Sequence, residues 1–179
     1  FGKQRGRNYL QLNGRNQYAV VEGHIIDTAS VTFDFWLWWE GGANEQFVFT
    51  FASQDGALMF APANKSDRAA LVLRKGKLVQ LVEASRPVPR RRWVRVTVTL
   101  GNDLGRIFFD GKLVGEGKIT LKPEDINAKF GYLGRGLRGG YFNGRLSNFA
   151  VFRKAFDSVS EIPSAEEIVK TVKGKKVPD

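Results

Sequence analysis

Apolar side chains recur at every second position through most of this sequence, and this period limits what the chain can fold into. In VTFDFWLWWE (31–40), one phase of the alternation holds Phe33, Phe35, Leu37 and Trp39. Successive side chains of a β-strand point to opposite faces of its sheet, so this pattern predicts a strand with one buried face. The other phase also carries large rings, which is typical of a central strand covered on both faces.

Similar short segments follow one another along the whole chain, separated by glycine-rich and polar turns. Lys75-Gly76 and Asp110-Gly111 predict two hairpin turns. We therefore expect an all-β fold, a two-sheet antiparallel jelly-roll sandwich. Only SAEEIVKTVK (164–173) has a helical pattern, which predicts a short C-terminal helix. The predicted domain spans residues 1–170, and residues 171–179 are a polar tail or linker.

The segment RRWVRVTVTL (91–100) gives the clearest assignment of faces. Val94, Val96, Val98 and Leu100 share the phase expected to face the core. Trp93 shares the other phase with Arg95, Thr97 and Thr99. A tryptophan in this polar phase indicates that the outer face is partly covered or concave.

The formal net charge of the chain is +10, and no acidic residue lies between Asp125 and Asp157. Such a charge favours anionic partners, among them an acidic polysaccharide, although a basic surface without a specific ligand explains it equally well. The chain has no zinc-finger spacing, RNP-like motif or basic helix followed by heptads, so we expect no nucleic-acid partner. It also has no cysteine, which excludes disulfides and thiolate chemistry.

Residues for catalysis are scarce. His24 is the only histidine and no Gly-x-Ser-x-Gly motif occurs, which argues against a Ser-His-Asp triad. Glycoside hydrolysis needs two carboxyl groups about 5–10 Å apart. Asp34 and Glu40 share a strand phase, but six residues of strand separate their positions by about 20 Å. We therefore expect no enzymatic activity from the chain alone.

Four segments, in order, resemble one family. They are YLQLNGRNQYAVV (9–21), SVTFDFWLWW (30–39), RRWVRVTVTL with GRIFFDGKLVGEG (91–117), and GYLGRG with YFNGRLSNFAVFRKAFDSVSEI (131–162). Together they are similar to laminin-G-like jelly-roll domains of the concanavalin A-like lectin/glucanase superfamily. The pairing of LKPEDI with YLGR is most similar to domains appended to bacterial glycoside hydrolases.

The resemblance implies a non-catalytic carbohydrate-binding or accessory module of a larger exported protein. Its partners would be a polysaccharide, bound on the concave face or its rim loops, and a catalytic domain in the same parent chain. The implied location is extracellular, periplasmic or at the cell surface. One alternative is a protein-interaction or structural domain that packs on a neighbour, and another is a stand-alone glycosidase or lyase.

Aromatic rings and planar polar groups outside the predicted core are the candidates for binding a glycan. Trp36 aligns with a recurring family tryptophan, so we expect it to be structural. Trp38 stands near the end of its strand and is the best candidate for a ring that reaches a ligand. The predicted carbohydrate-binding residues are Trp38, Glu40, Trp93, Arg135, Arg138 and Tyr141. Arg135 and Arg138 lie in a glycine-rich loop, where guanidinium groups would bind carboxylate or sulfate.

The resemblance also raises a structural calcium ion, which is the only cofactor we consider. Family members often carry an acid after Phe-Asn-Gly-Arg-Leu, where this chain has Ser147-Asn148. Calcium prefers several oxygen ligands, usually including carboxylates. The remaining candidate ligands are Asn13 and Asn148.

Overall fold

A computed structural model describes residues 1–4 and 6–164 of the chain. It confirms the all-β prediction: the strands form two antiparallel sheets packed face to face. The predicted helix (164–173), apart from Ser164, and the predicted tail (171–179) lie outside the described residues. Within the described ranges, no helix is long and apolar enough to cross a membrane.

The front sheet has seven strands in the spatial order β1-β2-β13-β4-β9-β10-β11. Its strands are β1 (Gly2–Gln4), β2 (Arg7–Asn13), β4 (Val31–Trp39), β9 (Trp93–Gly101), β10 (Leu104–Phe109), β11 (Lys112–Lys118) and β13 (Asn143–Phe152). The long, two-faced strand β4 therefore lies at the centre of this sheet, as its pattern predicts.

The back sheet has six strands in the spatial order β3-β12-β5-β6-β7-β8. Its strands are β3 (Ala19–Glu22), β5 (Phe49–Ala52), β6 (Gly56–Ala61), β7 (Ala70–Lys75), β8 (Leu78–Glu83) and β12 (Phe130–Leu133). Short 3-10 helices span Gly23–Ile26, Pro123–Ile126 and Val159–Glu161.

Both hairpin turns predicted from the sequence are present. The Lys75-Gly76 and Asp110-Gly111 turns join β7 to β8 and β10 to β11 as hairpins. Asp110 and Gly111 both have positive φ, the conformation that a tight hairpin turn requires. The opening strands β2 and β3, however, do not pair. β2 pairs with β13 and β3 pairs with β12, so the turn after Asn13 carries the chain from one sheet to the other.

The core lies between the sheets and is built from phenylalanine rings. Phe33 of β4 stacks on Phe49 of β5 at 4.4 Å between ring centroids, and Phe49 stacks on Phe60 of β6 at 5.9 Å. All three side chains are fully buried, as is Trp39 at the end of β4. The predicted inner phase of β9 is buried as well, which confirms the assignment of faces there.

The outer face of the front sheet is only partly open, because the segment after β13 returns across it. Phe156, Val159 and Ile162 of this segment pack with Phe108 of β10. The Thr32 hydroxyl anchors the segment, since it donates to the Lys154 carbonyl at 2.7 Å. This cover explains the burial of threonines on the outer phase of β4 and β9, and among residues 1–4 and 6–164 nothing covers the other end of the face in the same way.

Substitution of Phe49 tests the packing of this core, because its ring contacts rings from both sheets. Phe49→Ala should lower the free energy of unfolding by about 3–5 kcal/mol, since it removes a fully buried ring and leaves a cavity. Urea denaturation followed by fluorescence measures the change. Phe1→Ala is the matched control: Phe1 is fully exposed, so the same substitution should change the free energy by less than about 0.5 kcal/mol. Similar losses in both variants would contradict this packing.

Candidate functional site

Aromatic and arginine side chains gather at the open end of the front sheet's outer face. The register of β4 against its two neighbours brings them together: Trp38 lies opposite Trp93 of β9 and opposite Arg145 of β13. Strand β2 lies beyond β13 and adds two further side chains to the same face. We call the following residues the outer-face cluster: Arg7, Tyr9, Trp36, Trp38, Trp93 and Arg145.

The rings of the outer-face cluster contact one another at angles typical of aromatic pairs. Trp38 meets Trp93 nearly edge to face, with centroids 6.1 Å apart and planes at 68°. Tyr9 lies 6.0 Å from Trp93 on the other side. All three rings are half-buried. Together they form an apolar surface that is fixed by packing and remains accessible to solvent.

Two guanidinium groups cover parts of this aromatic surface. The guanidinium carbon of Arg7 lies 3.9 Å from the Trp36 ring centroid and 5.5 Å from that of Trp93. The guanidinium carbon of Arg145 lies 4.9 Å from the Trp38 centroid and 5.3 Å from that of Tyr9. Cations at these distances are attracted by the electron-rich ring faces, which holds both arginines in place.

Glu40 lies at the rim of the cluster and orients one of its rings. Its carboxylate accepts a hydrogen bond of 2.8 Å from Nε1 of Trp38. It also lies 3.9 Å from the guanidinium groups of Arg145 and Arg91. Glu40 thus contacts both Trp38 and Arg145, and it supplies a negative charge at the edge of the face.

A second carboxylate, Asp34, is paired on the same face toward the covered end. It accepts hydrogen bonds from Nε and Nη2 of Arg95, each at 3.0 Å, and from the Thr97 hydroxyl at 2.7 Å. This bidentate contact leaves Asp34 engaged as a structural ion pair. Asp34 lies in β4 and Glu40 directly follows the end of that strand, six residues further on, which places their positions about 20 Å apart, beyond the roughly 5–10 Å that glycoside hydrolysis requires between its two carboxyl groups.

Trp93 carries an unusual polar atom at the centre of the cluster. Its Nε1 is buried and has no hydrogen-bond partner anywhere in residues 1–4 and 6–164. An unsatisfied buried donor costs about 1–3 kcal/mol and marks sites that warrant a functional explanation.

Two cavities flank the stack of Arg7 on Trp36. The first is about 360 Å³ and is lined by Gly6, Arg7, Asn8 and Asn148. The second is about 220 Å³, and its lining includes Trp36 and again Asn148. Asn148 stands at a bulge of β13 with a positive φ, which projects it between the two cavities.

The remaining predicted residues lie elsewhere, near the edge of the back sheet. Arg135 is enclosed by the rings of Tyr18, Tyr132 and Tyr141, at 4.7, 4.7 and 5.3 Å from their centroids. The guanidinium of Arg135, in the glycine-rich loop, is therefore held in a tyrosine cage. Arg138 is exposed in the same loop.

The two candidate calcium ligands are not brought together. Asn13 Oδ1 accepts hydrogen bonds from the backbone amides of residues 15, 16 and 17, so it closes its own turn. Asn13 pairs with Asn143, and Asn148 stands five positions further along β13, about 16 Å away. No group of three acidic, histidine or cysteine side chains suited to a metal occurs in the described part of the chain. This donor set does not fit calcium, and calcium binding stays a prediction of the family resemblance.

Of the side chains on this face, the sequence predicted Trp38, Glu40 and Trp93, and the structure brings these three together. Sequence reasoning treated Trp36 as structural, whereas the ring is half-buried on the same outer face beneath Arg7. Arg7, Tyr9 and Arg145 were missed because they come from distant segments that only sheet pairing brings to β4. The phase of Trp36, shared with Trp38, is the signal that could have found it.

Comparison with solved structures shows the same architecture in several carbohydrate-related proteins. The CBM40 of the Ruminococcus gnavus IT-sialidase, bound to α2,3-sialyllactose, is 13% identical, with a TM-score of 0.63 over 84% of this chain and 94% of that one. Domain 4 of AbnA, a GH43 extracellular arabinanase from Geobacillus stearothermophilus in complex with arabinotriose, is 13% identical, with a TM-score of 0.65 over 87% and 78%.

The NanB sialidase from Streptococcus pneumoniae is 16% identical, with a TM-score of 0.70 over 87% of this chain but only 27% of that one. At such identities the likeness shows a shared fold. A search of curated proteins by sequence found no match. A laminin-G-type family model, described as the Concanavalin A-like lectin/glucanases superfamily, matches residues 13–162. The chain therefore belongs to this superfamily, and its sandwich is a laminin-G-like jelly roll.

Proposed function

We propose that this domain is a non-catalytic carbohydrate-binding module of a larger exported protein, and that it binds a polysaccharide at the outer-face cluster. The single observation that carries the proposal is the convergence of Trp36, Trp38 and Trp93 with two arginines on one open face. Sugar rings pack well against aromatic faces, and planar polar groups beside them bind the hydroxyls.

Three features support this choice of face. The cluster is built on paired strands of one sheet, so its side chains are held before a ligand arrives. The related folds include modules solved with sialyllactose and arabinotriose, which makes glycan binding compatible with this architecture. Both carboxylates on the face are engaged with arginine or indole groups, which favours binding over hydrolysis.

Export and attachment to a catalytic domain belong to the same proposal. The related modules include a domain of an extracellular arabinanase and part of a sialidase. A module of this kind would keep an attached enzyme near its polysaccharide.

Trp38→Ala tests the site. The variant should lose roughly 10- to 100-fold in affinity, because removing an aromatic anchor at the centre of a binding surface costs about 1–3 kcal/mol. Affinity electrophoresis against a panel of neutral and acidic polysaccharides measures the change. Trp38→Phe keeps a ring but removes the hydrogen bond to Glu40, so we expect a smaller loss.

The matched comparison is Tyr141→Ala on the tyrosine cage, the other place where sequence predicts binding. It should leave affinity within about twofold, and thermal unfolding of each variant checks that the fold is kept. A loss in Tyr141→Ala without one in Trp38→Ala would move the site to the back sheet. Failure of the wild-type domain to bind any polysaccharide would overturn the proposed function.

A second candidate function is docking on a neighbouring domain, and the outer face of the back sheet favours it. The strand register places six residues in one row across this sheet, all apolar or aromatic except Thr50: Val20, Tyr132, Thr50, Met59, Val72 and Leu81. Val20 is 67% exposed and Leu81 is 46% exposed. A row of apolar side chains at a solvent-facing surface is typical of a docking site.

Single-cysteine labelling tests this second function, since the chain has no cysteine of its own. If the back sheet is covered in the parent protein, the thiol of Val20→Cys should react at least about tenfold more slowly there than in the isolated domain. Leu113→Cys is the control, because Leu113 is 52% exposed on an edge strand of the front sheet. Equal labelling rates of Val20→Cys in both proteins would argue against docking through this face.

A further inference from the structure

The charges on the outer face do not balance, and one of its arginines has no carboxylate beside it. Arg95 is neutralised by Asp34 in a bidentate pair. Arg145 lies near Glu40 and donates from Nε to the side-chain oxygen of Gln11 at 3.0 Å. Each carboxylate of the face thus has an arginine, and Arg7 is the arginine left over.

Arg7 is held by stacking alone. Its guanidinium lies over Trp36 and near Trp93, but it makes no hydrogen bond or ion pair with any residue among 1–4 and 6–164. Partial burial lowers the pKa of Arg7, although a guanidinium keeps its charge at neutral pH. A half-buried cation without a counter-ion is costly, and an anionic ligand would remove that cost.

The geometry around Arg7 leaves room for such a ligand. The five N–H donors of the Arg7 guanidinium lie in one plane, and none of them has an acceptor among residues 1–4 and 6–164. The cavity of about 360 Å³ beside Arg7 falls within the range of ligand pockets and carries the Asn148 amide on its wall. The Trp93 ring centroid lies 5.5 Å from the Arg7 guanidinium carbon, and its buried Nε1 has no acceptor within the described residues.

We propose that Arg7 is the anion-binding residue of this domain, and that its ligand is a glycan bearing a carboxylate or sulfate group. The inference rests on the proposed carbohydrate-binding function and adds the class of ligand. The acidic group binds the in-plane donors of Arg7, Asn148 binds an adjacent oxygen, and the neutral part of the glycan lies on the rings of Trp38 and Trp93. This site differs from the glycine-rich loop, where the sequence predicts anion binding by Arg135 and Arg138.

Pairs of glycans that differ only in the acidic group give the test. We would compare 3′-sialyllactose with lactose, polygalacturonate with its methyl ester, and dextran sulfate with dextran. The wild-type domain should bind the acidic member of at least one pair more tightly, and that pair identifies carboxylate or sulfate as the group. Arg7→Gln should lose this preference, with affinity for the acidic glycan falling roughly 10- to 100-fold.

Two further variants separate a specific contact from general charge. Arg7→Lys keeps the charge but loses the planar pair of donors, so its affinity should fall between those of wild type and Arg7→Gln. Arg138→Gln removes the same charge from an exposed loop and should change affinity by less than about twofold. Resonances of the indole N–H of Trp36 and Trp93 should shift when the acidic glycan is added to the wild-type domain, and less so in Arg7→Gln.

The outcomes distinguish this inference from the proposed function. If the domain binds neutral and acidic members of every pair equally, Arg7 is not an anion site, while carbohydrate binding stands. If Arg138→Gln loses as much affinity as Arg7→Gln, the preference comes from net charge, and the inference is likewise overturned. If no glycan of any pair binds, both proposals fail together.

Discussion

Strand β4 is the element on which the rest of the molecule depends, because it packs apolar groups on both of its faces. Phe33, Phe35 and Trp39 fill the space between the sheets, and Phe33 stacks directly on Phe49 of the back sheet. This contact joins the two sheets across the core. The position of β4 between β13 and β9 then decides which side chains surround its outer face.

The side chains that make up the outer face follow from the central position of β4. Because β4 has neighbours on both sides, Trp36 and Trp38 cannot be isolated surface rings. They receive side chains from β9 on one side and from β13 and β2 on the other. The returning segment after β13 covers one end of the face, and arginine stacking partly covers the other. The outer-face cluster is therefore an aromatic surface that is held in place by its neighbours, positively charged and open. These are the properties expected of a glycan-binding site.

Much of the architecture was predictable from local pattern. Period-2 alternation predicted the strands, and the inner phases of β4 and β9 are the buried ones. The hairpins after Lys75 and Asp110 were predictable because short turns need residues that tolerate positive φ. The pairing of β2 was less predictable. The turn after Asn13 has the composition of a hairpin, but the chain crosses there from one sheet to the other, since β2 pairs with β13 and β3 pairs with β12.

The sequence by itself determined the all-β class, the central role of β4, the scarcity of catalytic groups and the presence of Trp38, Glu40 and Trp93 as binding candidates. These properties depend on residue type and on spacing within single strands. Only the tertiary structure decided that Arg7 stacks on Trp36, that Arg145 reaches Trp38 and that Arg135 is enclosed by tyrosines. Such contacts join residues far apart in the chain, and local pattern carries no information about which strands become neighbours or which arginine is left without a carboxylate.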